Sequence, residues 1–362
     1  MLTVGRNVGT VLVAGGLNKP HGSLSETELY DPGHDRFTPG PDMSNERDRE
    51  TATVLKDGPR AGWVLVAGLN TPELYDPITN QFVDGPPMIY EDTDQTAIVI
   101  PSGPNQGKIL FAGGFDDSRS TELYDPATNA FAPGPAMNMD RRDHTATVIT
   151  TGPNTGKILL VGGWRWLDKS AAMVPLASTE LYDPATNTFA APADTPTLTV
   201  ARAAHSATAV PSGPNAGKIL ISGGQADDRI TLSSTELYDP ASNSFTLGPP
   251  MRSARTRHIA MVIGSGPQAG KILIAGGIVN SPHNVAGCTD MCGIINFRYN
   301  DAECKSKHCA YFPLASTELY DPRSNRFEPG PRMHGKLGEA IAVQLPPAAT
   351  IAAPAANAAP RR

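Results

Sequence analysis

The sequence contains no run of the roughly 18 apolar residues that a membrane-crossing helix needs; its hydrophobic residues, 40% of the chain, fall in short groups. It has no basic excess either. Thirty Lys and Arg face 36 Asp and Glu, for a net charge of −6, which argues against the basic stripe of a nucleic-acid groove. Aromatics are scarce at 6%, so any aromatic that recurs at a fixed place carries information. Cysteine is nearly absent: four residues, all between Cys288 and Cys309. Met1-Leu2-Thr3-Val4-Gly5 lacks the charged-then-apolar pattern of an export signal. As written the chain reads as cytoplasmic; an exported protein whose leader is missing from the record is the other reading.

What the chain has in abundance is turn-formers, 35 Gly and 34 Pro in 362 residues. With no long helical period, that composition points to an all-β chain of short strands. The string Glu-Leu-Tyr-Asp-Pro occurs six times, with Tyr30, Tyr75, Tyr124, Tyr182, Tyr238 and Tyr320 separated by 45, 49, 58, 56 and 82 residues. An apolar run ending in Gly-Gly precedes five copies, as in Leu160-Val161-Gly162-Gly163; the second copy is degenerate, Val66-Ala67-Gly68-Leu69. A phenylalanine follows each Tyr: Phe37, Phe82, Phe131, Phe189, Phe245 and Phe327.

A double glycine, degenerate in one copy of six, followed each time by a Tyr and a further aromatic, resembles the kelch-repeat family. The resemblance covers nearly the whole chain and implies an all-β, six-bladed kelch-type β-propeller with four-stranded antiparallel blades. Each unit reads as strands a to d, such as 144–149, 157–161, 178–182 and a short strand around Phe189. In the c–d turn Asp183-Pro184-Ala185-Thr186-Asn187, Pro presets φ and Asn tolerates the left-handed region. One Phe per blade, facing the next, is expected to fill the space between sheets.

The chain begins at a strand b and ends on an unpaired strand-a-like run, 339–345. That run is expected to complete blade one and close the ring, removing free edges. The propeller then occupies 1–346, and the Ala/Pro-rich tail 347–362 has nothing to pack against.

Strand direction alternates in a meander, so b–c loops and d–a links share one face. The a–b turns repeat nearly unchanged, whereas the b–c loops differ in every blade; binding is expected on the varied face. Three residues before each strand a lie Arg47, Asp92, Arg141, Arg202, Arg255 and Lys336, and at the strand start lie Glu50, Gln95, His144, His205, His258 and Glu339. With strand a innermost, these twelve form a candidate ligand-binding mouth suited to an anionic or polar group. Pairing with the repeated Glu of strand c or with backbone carbonyls is the structural alternative. The three histidines also raise a three-His metal site, against which stands their place in the repeat.

Trp164, Arg165 and Trp166 open one long b–c loop and are candidates for recognition of a sugar or a partner. Cys288, Cys292, Cys304 and Cys309 sit in another, at about 278–315. Two local disulfides would fit an oxidising compartment; a zinc knot is the rival. No cofactor is expected apart from that zinc alternative. No catalytic constellation stands above the repeat background. The chain is therefore expected to be a monomeric, non-catalytic binding propeller for a protein or glycan ligand. The alternative is a carbohydrate-active enzyme at the channel mouth. Galactose oxidase is similar in using kelch-type blades, but its copper site finds no counterpart among these residues; kelch-type sialic-acid epimerases are a looser analogy.

Overall fold

The computed structural model describes residues 10–331 apart from 16, 19–21, 32–35, 48, 69–70, 91, 116–118, 168–171, 228–229, 265–266 and 282–309. The chain is an all-β, six-bladed propeller. In blades two to six, strands a are Thr51–Val54, Thr96–Val99, Thr145–Val148, Ser206–Ala209 and Ile259–Val262. Strands b are Val64–Ala67, Ile109–Ala112, Ile158–Val161, Ile219–Ser222 and Ile272–Ala275. Strands c are Glu73–Asp76, Thr121–Asp125, Thr179–Asp183, Thr235–Asp239 and Thr317–Asp321. Strands d are Gln81–Asp84, Ala130–Pro133, Thr188–Phe189, Ser244–Leu247 and Arg326–Pro329. Blade one is described by its strands b, c and d, Val11–Ala14, Thr27–Asp31 and Arg36–Pro39. The run 339–345, the tail, Lys336, Glu339 and the four cysteines lie outside the described residues.

Burial sorts the strands. Strands a are half-buried along their length, b and c are almost wholly buried, and d is largely exposed. Successive strands a neighbour one another from blade two to blade six, so they line the central channel and d faces outward. Alternation along strand b divides its side chains between two neighbours. Ile109 and Phe111 pack against blade two, while Leu110 and Ala112 pack against blade four. The core is thus a series of wedges between sheets.

The strand-d phenylalanines face the preceding blade, not the next: Phe131 packs into the wedge between blades two and three, Phe189 into that between three and four. The aromatic fully buried in each of blades two to six is the strand-c tyrosine, tilted against that Phe at 5.1 Å in blade three and 5.4 Å in blade four. Its hydroxyl donates to the turn asparagine, Tyr124 to Asn129 at 2.9 Å and Tyr182 to Asn187 at 2.8 Å. Those asparagines adopt φ of 54° and 56°, so one residue serves both the turn and the buried hydroxyl.

The two faces separate as the meander requires. An a–b turn nests against the c–d turn of the following blade: a Cβ on Gly103 would lie 2.2 Å from the Pro184 carbonyl. On the other face, d–a links bridge to b–c loops, Arg142 to Trp164 and Ala203 to Gln225. Gly163, at φ 102°, lets that link close down; a Cβ there would meet the Arg142 carbonyl at 2.7 Å. The two longest b–c loops begin as hairpins, Trp164–Leu167 with Ala172–Pro175 and Ile278–Ser281 with Ala310–Pro313.

Candidate functional site at the channel mouth

The link arginines reach outward to strand c. Arg47, Arg141, Arg202 and Arg255 pair with Glu73, Glu180, Glu236 and Glu318 at 3.0, 3.2, 3.0 and 2.9 Å. Each guanidinium also bonds loop carbonyls, as Arg141 does to Gly162 at 2.7 Å. All four are buried. The glutamate in turn accepts two backbone N–H groups of the link, Asn138 and Met139 onto Glu180 at 2.8 and 2.9 Å. This is the structural alternative foreseen for these positions: in blades two, four, five and six one Arg–Glu pair ties the link to the third strand of its blade.

Blade three departs. Asp92 takes the arginine place and accepts from the N–H of Thr93 at 2.8 Å and of Phe115. Its Glu122 still accepts from Ile89 and Tyr90, both at 2.8 Å. Burial pushes the Glu122 carboxyl above its ordinary range, against the pull of those two N–H groups.

The strand-start residues stitch neighbouring inner strands. Nε2 of His144, His205 and His258 lies 3.0, 3.0 and 2.9 Å from the hydroxyl of Thr96, Thr145 and Ser206, each on the preceding blade. Burial, reinforced by Arg141 and Arg202, drives His144 and His205 well below the usual imidazole range, and His258 is pushed down to about 3 by burial and Arg255. All three are neutral at neutral pH. Each ring is committed to its own neighbour, and no trio of metal ligands converges among the described residues. Gln95 Nε2 donates to the Asp92 carbonyl at 3.3 Å, and Glu50 abuts blade one, where a Cβ on Gly15 would meet its Oε1 at 2.6 Å.

The residues that meet at the mouth are those one position earlier. Arg49, Asp94, Asp143, Ala204 and Arg257 have φ of 58, 60, 50, 51 and 52°, a conformation costly for residues with a Cβ. The backbones of the last four form a chain along the rim. Asp143 N–H donates to the Asp94 carbonyl at 3.0 Å, Ala204 to Asp143 at 2.8 Å, and Arg257 to Ala204 at 2.9 Å. Arg49 pairs with Asp94 at 3.4 Å and Arg257 with Asp143 at 3.1 Å. The second pair joins blade six to blade four, over the small Ala204 between them, so these side chains reach across the channel mouth. Burial, then the charge of Asp143, pushes Asp94 up to about 6 against the pull of Arg49, Arg257 and Arg142.

Beside this collar the sequence-predicted tryptophans separate. Trp164 is buried, its backbone paired to Arg142. Arg165 lies 3.8 Å from Asp140. Trp166 is half-buried and stands edge-to-face on Phe115 of the neighbouring loop, centroids 6.0 Å apart. The guanidinium of Arg142 lies over both rings, 4.4 Å from Phe115 and 5.2 Å from Trp166. Sequence reasoning missed Arg142, Phe115 and the collar. The doublet Arg141-Arg142 was its only local trace.

Comparison with known proteins agrees with this architecture. A family model described as Kelch motif matches residues 214–252. No curated protein sequence matches the chain. Among solved structures, one titled "Structure of YjhT" is similar with a TM-score of 0.54 at 12% identity, covering 80% of this chain and 85% of that one; at that identity the likeness concerns the fold alone. Repeats, blades and this likeness make the chain a six-bladed β-propeller in which residues 214–252 match the kelch motif.

Proposed function

We propose that the chain is a non-catalytic binding propeller that engages a protein or glycan ligand with the face carrying its b–c loops and channel mouth. The observation that supports this reading is the cluster of Phe115, Arg142 and Trp166 beside the charged collar, on the face where the loops differ from blade to blade. Aromatic rings beside a guanidinium suit both a sugar face and a peptide side chain. Kelch-type propellers commonly serve as interaction scaffolds, which supports the same reading.

The test is a screen of glycan and peptide arrays. A ligand of this face loses binding in Trp166→Ala and keeps it in Ile78→Ser, an exposed residue of a c–d turn on the opposite face. The reverse pattern, or no ligand on either array, overturns the proposal. One observation favours the enzymatic alternative: Asp94, pushed up to about 6, has the ionisation of a neutral-pH acid–base group. Turnover of a sugar that disappears in Asp94→Asn would support it.

A further inference from the structure

Arg142 differs from the link arginines. It is 8% exposed, yet it is not tied to a glutamate of strand c. Nη2 has the thioether of Met173 as its acceptor, and Nε and Nη1 have no hydrogen-bond partner among the described residues. A thioether is a weak acceptor, so a buried guanidinium is left with nearly all its donor capacity unspent, which is costly. The faces of Phe115 and Trp166 lie toward its carbon on adjacent sides, and the edge that carries Nη2 toward Met173 is where an acceptor enters.

We propose that Arg142 is the binding site for an oxyanion group of the ligand, a carboxylate, sulfate or phosphate taken end-on by Nη1 and Nη2 beside Phe115 and Trp166, and that this group binds more tightly in acid. The proposal rests on the binding reading above and names the chemistry that its surface takes. Two oxygens of one group match the two terminal nitrogens. The oxyanion replaces the Met173 thioether, and an unbranched methionine is the side chain best able to move aside.

The acid dependence follows from the collar. Asp94 is faced by Arg49 from the link before blade two, by Arg142 and Asp143 from the link before blade four, and by Arg257 from the link before blade six. Above about pH 6 two carboxylates oppose an incoming anion; below it Asp94 takes up a proton and one remains against three guanidiniums. Protonation of Asp94 and anion binding therefore favour each other reciprocally.

The experiment uses the full chain and inorganic sulfate, which keeps its charge between about pH 5 and pH 8, exchanged against chloride at constant ionic strength and followed by tryptophan fluorescence. The expected result is one saturable transition, with affinity on the order of fivefold higher at the acid end. It is absent in Arg142→Met, and its pH dependence is absent in Asp94→Asn. No saturable transition, an unchanged one in Arg142→Met, or a flat pH profile in the unsubstituted chain overturns the proposal. Where Arg142→Met does not fold, Met173→Leu decides: removing the competing acceptor must tighten sulfate binding, and unchanged binding overturns it. An array ligand that survives Arg142→Met but not Trp166→Ala leaves the binding reading intact and removes this one.

Discussion

Blades three and four are built from the same strings and the same strand register, Ile109 opposite Tyr124 in one and Ile158 opposite Tyr182 in the other. They differ in what the link brings to strand c. In blade four Arg141 meets Glu180 and both are buried. In blade three the matching carboxylate, Glu122, has two backbone N–H donors, and Asp92 in the arginine place is held by its own loop. The repeat keeps its shape without the ion pair. The frame is therefore set by backbone pairing and apolar wedges, and the Arg–Glu pair is an added tie. Buried pairs behave this way: the Coulombic gain roughly offsets desolvation, yet removing one partner leaves the other charge stranded.

The largest expected effect breaks the tie in blade four. Glu180→Gln strands Arg141 and costs about 3–5 kcal/mol by chemical denaturation. Comparable losses from Glu180→Gln and Glu122→Gln would show that the two blades are not distinguished by this pair.

The collar gives the next effect. Asp94 in blade three is held at about 6, above an unfolded value of 3.8. The folded state then binds more protons than the unfolded state between these values, so stability falls as pH rises through that window. The contribution is present below about pH 4 and lost by about pH 6, roughly 2–3 kcal/mol in all. Asp143→Asn, which removes the like charge from blade four, should shrink the effect, and Asp94→Asn should abolish it in denaturation curves measured across that range.

A smaller loss tests what the blades share. Asn187→Ala places a β-carbon without a compensating side-chain bond at φ 56° and deprives the Tyr182 hydroxyl of its acceptor; about 1–2 kcal/mol is expected in thermal melts. Asn129→Ala in blade three should cost the same, because that part of the repeat is identical.

The smallest effect sharpens the contrast. Glu122→Gln removes a buried carboxylate that no arginine neutralises among the described residues. It should change stability by less than about 1 kcal/mol and weaken the fall of stability at rising pH, since the folded Glu122 carboxyl sits above its ordinary range.

Much of this was legible in the sequence. The strands, the turn Asp-Pro-x-x-Asn and the separation into two faces come from short strings whose backbone preferences act within a few residues. The Arg–Glu pairing was foreseen as an alternative because the Glu recurs in all six units and the Arg in four of them. The candidate mouth was legible only in part. Arg47, Arg141, Arg202 and Arg255 were expected around the channel, and they point two strands outward. The residues that reach across it, Arg49, Asp94, Asp143 and Arg257, vary in type and so left no repeat to notice. Their shared trait is a positive φ, which a sequence announces through glycine or a turn asparagine, and none of these four is either.

By itself, then, the sequence determined the blade: local turn chemistry, a two-residue alternation and one buried tyrosine specify the four strands of each of blades two to six. Only the tertiary structure decided the site. Arg257 meets Asp143 from 114 positions away, and Arg142 meets rings from two different loops. Such contacts exist because neighbouring wedges of packed side chains bring successive inner strands together around one axis, and no local preference along the chain encodes which side chains then face each other across it.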